Sequence, residues 1–86
     1  MLKQEVMVIN ESGLHARPAT MLIRKASKYK SNIMIKKGNA QVNAKSILGL
    51  FGLGICKGEI IELQVDGEDE KLALEELVKY ISELNE

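Results

Sequence analysis

Ile61-Glu62-Leu63-Gln64-Val65-Asp66 alternates without a break between apolar and polar side chains. Successive side chains of a strand point to opposite faces, so this stretch reads as a strand with one buried and one wet face. A sheet built from such strands needs cover on one side only. Just downstream, Asp66-Gly67-Glu68-Asp69-Glu70 is a turn feeding a helix, with acids where the amino-terminal dipole favours them. That helix runs over about residues 70–84 and by its periodicity buries Leu74, Leu77, Val78 and Ile81.

Upstream, Lys37-Gly38-Asn39 joins two short strands at 32–36 and 40–44 as a hairpin. Residues 2–9, with Val6, Val8 and Ile9, form another strand that Glu11-Ser12-Gly13 ends. Between them, Ala19, Leu22, Ile23 and Ala26 recur at i, i+3, i+4 and i+7, the buried stripe of a helix beginning after His15. Arg17, Arg24 and Lys28 lie off that stripe. Ser46 opens a short helix, followed by a glycine-rich loop in which Gly49, Gly52, Gly54 and Gly58 interleave with aliphatic residues. The order β-α-β-β-α-β-α predicts an α+β fold, an antiparallel sheet with helices packed on one face, in a single domain over residues 1–86.

Eighty-six residues can bury an adequate core but leave little room for a deep substrate cavity. Hydrophobic residues at 45% and charged residues at 28% are those of an ordinary globular protein. Tyr29, Phe51 and Tyr80 are the only aromatic rings, so platforms for base stacking are scarce. Residues 1–57 carry ten Lys/Arg against Glu5 and Glu11, a net +8, and residues 58–86 carry a net −8. Such asymmetry predicts a charged docking face. Cys56 is the single cysteine, which excludes an internal disulfide and reads as a small buried hydrophobe. One histidine and one cysteine argue against a zinc site, and no cofactor is expected. Beyond Met1, the methionines are expected to fill core gaps. The absence of a signal peptide or an 18-residue apolar run makes the cytoplasm the expected location.

The chemistry is concentrated in Gly13-Leu14-His15-Ala16-Arg17-Pro18-Ala19-Thr20. A histidine near a helix start is, by itself, a cap or a surface residue, and Arg17 alone is a solvated charge. Together they meet the needs of a phosphoryl acceptor. Imidazole offers an unprotonated nitrogen near neutral pH. The N–H groups of a helix amino terminus offer donors and a favourable dipole to phosphoryl oxygens, and the same dipole disfavours imidazolium. Arg17 offers a guanidinium fork. Pro18 suits the first turn, where its missing N–H would find no partner in the helix. Phosphoryl transfer asks mainly for positioning and charge stabilisation, so the lack of an acid/base pair is no obstacle.

These eight residues resemble the active-site signature of the HPr family, the histidine-containing phosphocarriers of the bacterial sugar phosphotransferase system. Asn43-Ala44-Lys45-Ser46-Ile47-Leu48-Gly49-Leu50 resembles the family's regulatory serine segment, and the likeness runs along essentially the whole chain. The resemblance implies an open-faced sandwich of four antiparallel strands and three helices. It also implies a carrier rather than an enzyme with its own small-molecule turnover. His15 would accept a phosphoryl group on Nδ1 from enzyme I and pass it to IIA domains of sugar permeases. Arg17 would balance the phosphate charge, and Thr20, Ile47 and Leu48 would lie on the docking face, with Phe51 either there or in the core. Ser46, a helix N-cap by position, would also be phosphorylated by HPr kinase/phosphorylase, creating a surface for a catabolite-control transcription regulator. A monomer is the default.

Two rivals define the alternatives. A regulatory module of the same fold, acting through Ser46 and a transcription regulator, would have no need of His15 and Arg17. A nucleic-acid binder would draw on the basic segment but lacks a recognised motif. Gly49-x-x-Gly52-x-Gly54 has neither the dinucleotide spacing nor a following Lys-Ser/Thr, and reads as a tight loop.

Overall fold

The alternation at 61–66 is realised at the centre of a sheet. The computed structural model describes residues 1–85. In chain order the elements are β1 (Leu2–Met7), α1 (Ala16–Ser27), β2 (Asn32–Lys37), β3 (Ala40–Asn43), α2 (Ile47–Leu53), β4 (Ile60–Asp66) and α3 (Glu70–Ser82). The strands lie in the order β1-β4-β2-β3, and every neighbouring pair is antiparallel. β4 pairs Ile61 with Val6 on one side and Leu63 with Ile35 on the other, so the apolar members of three strands share a face. Val6, Ile33, Ile35, Ile61, Leu63 and Val65 are all buried there.

The helices cover that face. α3 packs on β1 and β4, α1 packs on α3 and α2, and α2 packs on β3. Leu22 of α1, Leu50 of α2, and Leu77 and Ile81 of α3 are fully buried. Each such side chain contributes roughly 1.5–3 kcal/mol by leaving water. The predicted class, an α+β open-faced sandwich with four strands and three helices, is the observed one.

Differences from expectation have local causes. β1 stops at Met7, and Val8 instead brackets the loop before β4: its N–H donates to the Glu59 carbonyl at 2.9 Å and its carbonyl accepts from the Gly58 N–H at 2.7 Å. The β2–β3 turn is a two-residue loop closed by the Lys37–Ala40 pair. Gly38 at φ 60° and an Asn39 outside the left-handed region give it the II′ pattern that matches strand twist. α2 continues through Gly49 and Gly52 to a cap at Gly54, because Leu50 and Leu53 are buried beneath it. α3 ends at Ser82, two residues early, although Leu84 is still buried.

Two expectations are corrected. Cys56 is exposed, because it lies in the loop after α2. Its N–H donates to Glu59 Oε1, and its Sγ lies 3.3 Å from the Gly54 carbonyl oxygen. Met7 fills no core gap: it follows inward Val6, and alternation turns it to the open face opposite Ile60, where both are about half exposed.

Part of the charge imbalance is balanced by ion pairs inside the molecule. Lys25 and Lys28 pair with Glu76 at 3.3 and 3.0 Å, Lys30 with Glu68 at 3.3 Å, and Lys37 with Glu59 at 2.8 Å. Glu76 also accepts the Tyr29 hydroxyl, which joins the end of α1 to α3. That hydroxyl and the Lys28 ammonium hold the Glu76 carboxyl down at about 2, and the same bond pushes the Tyr29 phenol up to about 12. Asp69 accepts from the Lys30 N–H at 2.8 Å and the Ser31 N–H at 3.0 Å, pinning the start of β2 to that of α3. Among the described residues, no helix is long and apolar enough to cross a membrane.

Candidate functional site

His15 is the N-cap of α1. Its backbone is extended (φ −80°, ψ −169°), its side chain is exposed, and its ring makes no capping hydrogen bond. The helix proper begins at Ala16, and the first intrahelical bond runs from the Ala19 N–H to the His15 carbonyl at 2.9 Å. Pro18 is therefore the third helical residue, where a proline forfeits no intrahelical bond. It and Ala19 are buried, which turns Ala16, Arg17 and Thr20 outward. Arg17 stands two residues from His15 on the first turn. Thr20 donates its hydroxyl to the Ala16 carbonyl at 2.7 Å, tightening that turn.

The loop before His15 rests on the chain between α2 and β4. The Leu14 N–H donates to the Ile55 carbonyl at 3.1 Å. Gly13 adopts φ 62°, and a Cβ there would sit 2.4 Å from the Ile55 oxygen and 2.9 Å from the Cys56 Cα. Only glycine tolerates both that conformation and that approach. Buried Asn10 closes the loop: its side-chain amide donates to the Gly13 carbonyl at 2.7 Å, and its own carbonyl accepts from the Gly13 N–H at 3.1 Å. The imidazole is thus presented outward from a backbone held below.

Ser46 is the N-cap of α2, with Oγ accepting the Gly49 N–H at 3.1 Å. Lys45 secures the approach, donating to the Tyr29 and Ser31 carbonyls at 2.9 and 3.2 Å. Ile47, Leu48 and Phe51 follow on α2 and are 37%, 80% and 47% exposed, so none of the three is a core residue. The fold thereby places all seven candidate residues on two helices packed against each other. Their chemistry is a nucleophilic ring and a guanidinium at one helix start, with a hydroxyl and an apolar patch at the next. Among the described residues no group of three or more His, Cys, Asp or Glu is placed to hold a metal ion.

Sequence reasoning missed the seat beneath His15. Asn10 and Ile55 lie outside the motif, and with Leu14 they act through backbone atoms or a buried amide, which residue type does not reveal. The visible signals were the glycine at 13 and an asparagine ending an apolar strand.

Residues 2–83 match the family model described as "PTS HPr component phosphorylation site". The phosphocarrier protein HPr of Neisseria meningitidis serogroup A is 44% identical over 82 residues, 95% of this chain and 92% of that protein. The crystal structure of HPr-C-His from Thermoanaerobacter tengcongensis superposes with a TM-score of 0.92 at 42% identity, covering 94% of this chain and 91% of that one. The Bacillus subtilis catabolite repression protein Crh, solved as a swapped dimer, superposes at 0.78 with 41% identity, covering 96% and 95%. Both the histidine and the serine motif fall inside the matched residues, and the chain belongs to the HPr family of phosphotransferase-system phosphocarriers.

Proposed function

We propose that this chain carries a phosphoryl group on Nδ1 of His15, received from enzyme I and delivered to IIA domains of sugar permeases in the cytoplasm. The observation that carries the reading is an exposed imidazole at the N-cap of α1, its ring uncommitted to capping. The Nδ1 lone pair attacks phosphorus in line, the new N–P bond forms as the donor's bond to phosphorus breaks, and the proton on Nε2 stays in place. The first-turn N–H groups and the Arg17 guanidinium balance the charge on the phosphoryl oxygens. An exposed site suits a group that must be reached by two partners in turn. Thr20, Ile47, Leu48 and Phe51 form the surface those partners meet.

Ser46 is the regulatory site, phosphorylated by HPr kinase/phosphorylase with ATP. Phosphoserine at this N-cap gains from the helix dipole, while its charge of about −1.5 to −2 opposes a partner that already bears phosphate. The modified surface is the one a catabolite-control transcription regulator reads. The protein works as a monomer, with His15 open to each partner.

The test is incubation with phosphoenolpyruvate and enzyme I. An acid-labile phosphate that disappears in His15→Ala is the expected result, and an unlabelled wild type overturns the reading. The likeness to Crh supports a second reading, a regulator modified only on Ser46. No label from phosphoenolpyruvate and enzyme I, together with acid-stable label confined to Ser46 from the kinase and ATP, selects it.

A further inference from the structure

Lys37 occupies a position that alternation assigns to the core. Along β2, Ile33 and Ile35 point inward and Lys36 outward, so residue 37 falls on the covered side. A lysine there has to find partners for its ammonium. Its Nζ donates to the Leu53 carbonyl at 2.9 Å and the Gly54 carbonyl at 3.0 Å, and it pairs with Glu59 Oε2 at 2.8 Å. Three donors meet three acceptors. The two carbonyls belong to the end of α2, where the helix dipole favours a cation. The other Glu59 oxygen, Oε1, accepts the Cys56 N–H at 2.7 Å. One ammonium therefore gathers residues 53–59 from both ends.

That segment is the seat of the His15 loop. Ile55 supplies the carbonyl that the Leu14 N–H meets, and the Gly13 backbone lies against Ile55 and Cys56 with no space for a methyl group. A shift of residues 55–56 is passed directly to the two residues before His15. Transfer between two proteins depends on near-attack geometry, and a displacement of about 1 Å can cost on the order of 100-fold in rate.

Resting on the reading of His15 as phosphoryl acceptor, we propose that Lys37, with Glu59, is a positioning residue for phosphoryl transfer, acting through residues 53–59 to set where the imidazole stands. It touches no reacting atom.

The experiment compares wild type, Lys37→Met, Lys37→Arg and Glu59→Gln, well below their thermal transitions. The readouts are the initial rate of phosphoryl uptake from phospho-enzyme I and amide hydrogen exchange at Leu14. Lys37→Met keeps the apolar stem and removes the clamp. It is expected to lower kcat about 3–10-fold with KM within about twofold, and to speed Leu14 exchange at least about tenfold. Glu59→Gln shifts both readouts the same way by less, and Lys37→Arg restores the rate to within about twofold of wild type. A folded Lys37→Met with wild-type kcat overturns the proposal, even if its melting temperature has dropped. Should Lys37→Met not fold, Glu59→Gln decides by the same two readouts. A wild type that takes no phosphoryl group overturns the reading of His15 instead, and Leu14 exchange then still tests the clamp.

Discussion

Gly13 and Ile55 are in backbone contact, with the Leu14 N–H bonded to the Ile55 carbonyl and no room at residue 13 for a side chain. Gly13→Ala adds the cost of a methyl group 2.4 Å from that oxygen to the cost of a left-handed φ. The expected loss is at least about 2 kcal/mol, or on the order of 10 °C in Tm for a chain this size. Thermal unfolding followed by circular dichroism measures it. A Tm within about 2 °C of wild type would show that the loop is not held as described.

Ser46 combines a mechanical and a regulatory role, and the two separate by substitution. Ser46→Ala removes the acceptor for the Gly49 N–H and is expected to cost about 1 kcal/mol, with no label from kinase and ATP. Ser46→Asp keeps a capping oxygen and adds a charge the dipole favours, so its stability stays within about 0.5 kcal/mol of wild type. It should nevertheless slow phosphoryl uptake at His15. Urea unfolding paired with a transfer assay tests both, and equal stability of Ser46→Ala and wild type would remove the capping role.

Legibility divides along the line between local and distant contacts. β4 was readable because Ile61, Leu63 and Val65 alternate with polar neighbours, and α1 because Ala19, Leu22 and Ala26 repeat at helical spacing. His15, Arg17 and Ser46 were readable because a helix start needs only adjacent residues. α2 was harder. Gly49 and Gly52 each lower helix propensity by about 1 kcal/mol, and only burial of Leu50 and Leu53 outweighs them. Cys56 was misread because a lone cysteine ordinarily packs as a small hydrophobe, whereas a bond from its N–H to Glu59 settles its loop. The partners of Lys37 lie 16 to 22 positions downstream, beyond any periodicity.

The knot around Glu76 makes stability depend on acid in a defined window. Its carboxyl is held down at about 2 by the Tyr29 hydroxyl first and the Lys28 ammonium second. A group with a lowered folded-state value stabilises fully above its unfolded value, about 4.5, and loses that contribution as pH falls toward 2. Wild type is expected to lose stability steadily over that range. Glu76→Gln should be less stable at pH 7 by about 1–2 kcal/mol, a figure reduced for partial exposure, and should show a shallower acid limb. Glu59 and Asp69, also held below the ordinary range by hydrogen bonds, leave it some slope. Denaturant unfolding at pH 7, 5 and 3 makes the comparison, and parallel acid limbs would remove Glu76 as their source.

Leu48 is 80% exposed on α2, one residue from Ile47 and three from half-exposed Phe51. A side chain that wet adds little to folding, so Leu48→Ser should change stability by less than about 0.5 kcal/mol. Docking predicts a different response, because an apolar anchor buried at the centre of an interface costs about 1–2 kcal/mol when removed. The expected result is a roughly tenfold rise in KM for uptake from phospho-enzyme I with kcat unchanged. Leu50→Ser, two residues away and fully buried, serves as the contrast and should cost at least about 2 kcal/mol of stability. Steady-state transfer kinetics beside urea unfolding distinguish the two positions. A Leu48 variant with wild-type KM would take this residue out of the docking surface while leaving the chemistry at His15 standing.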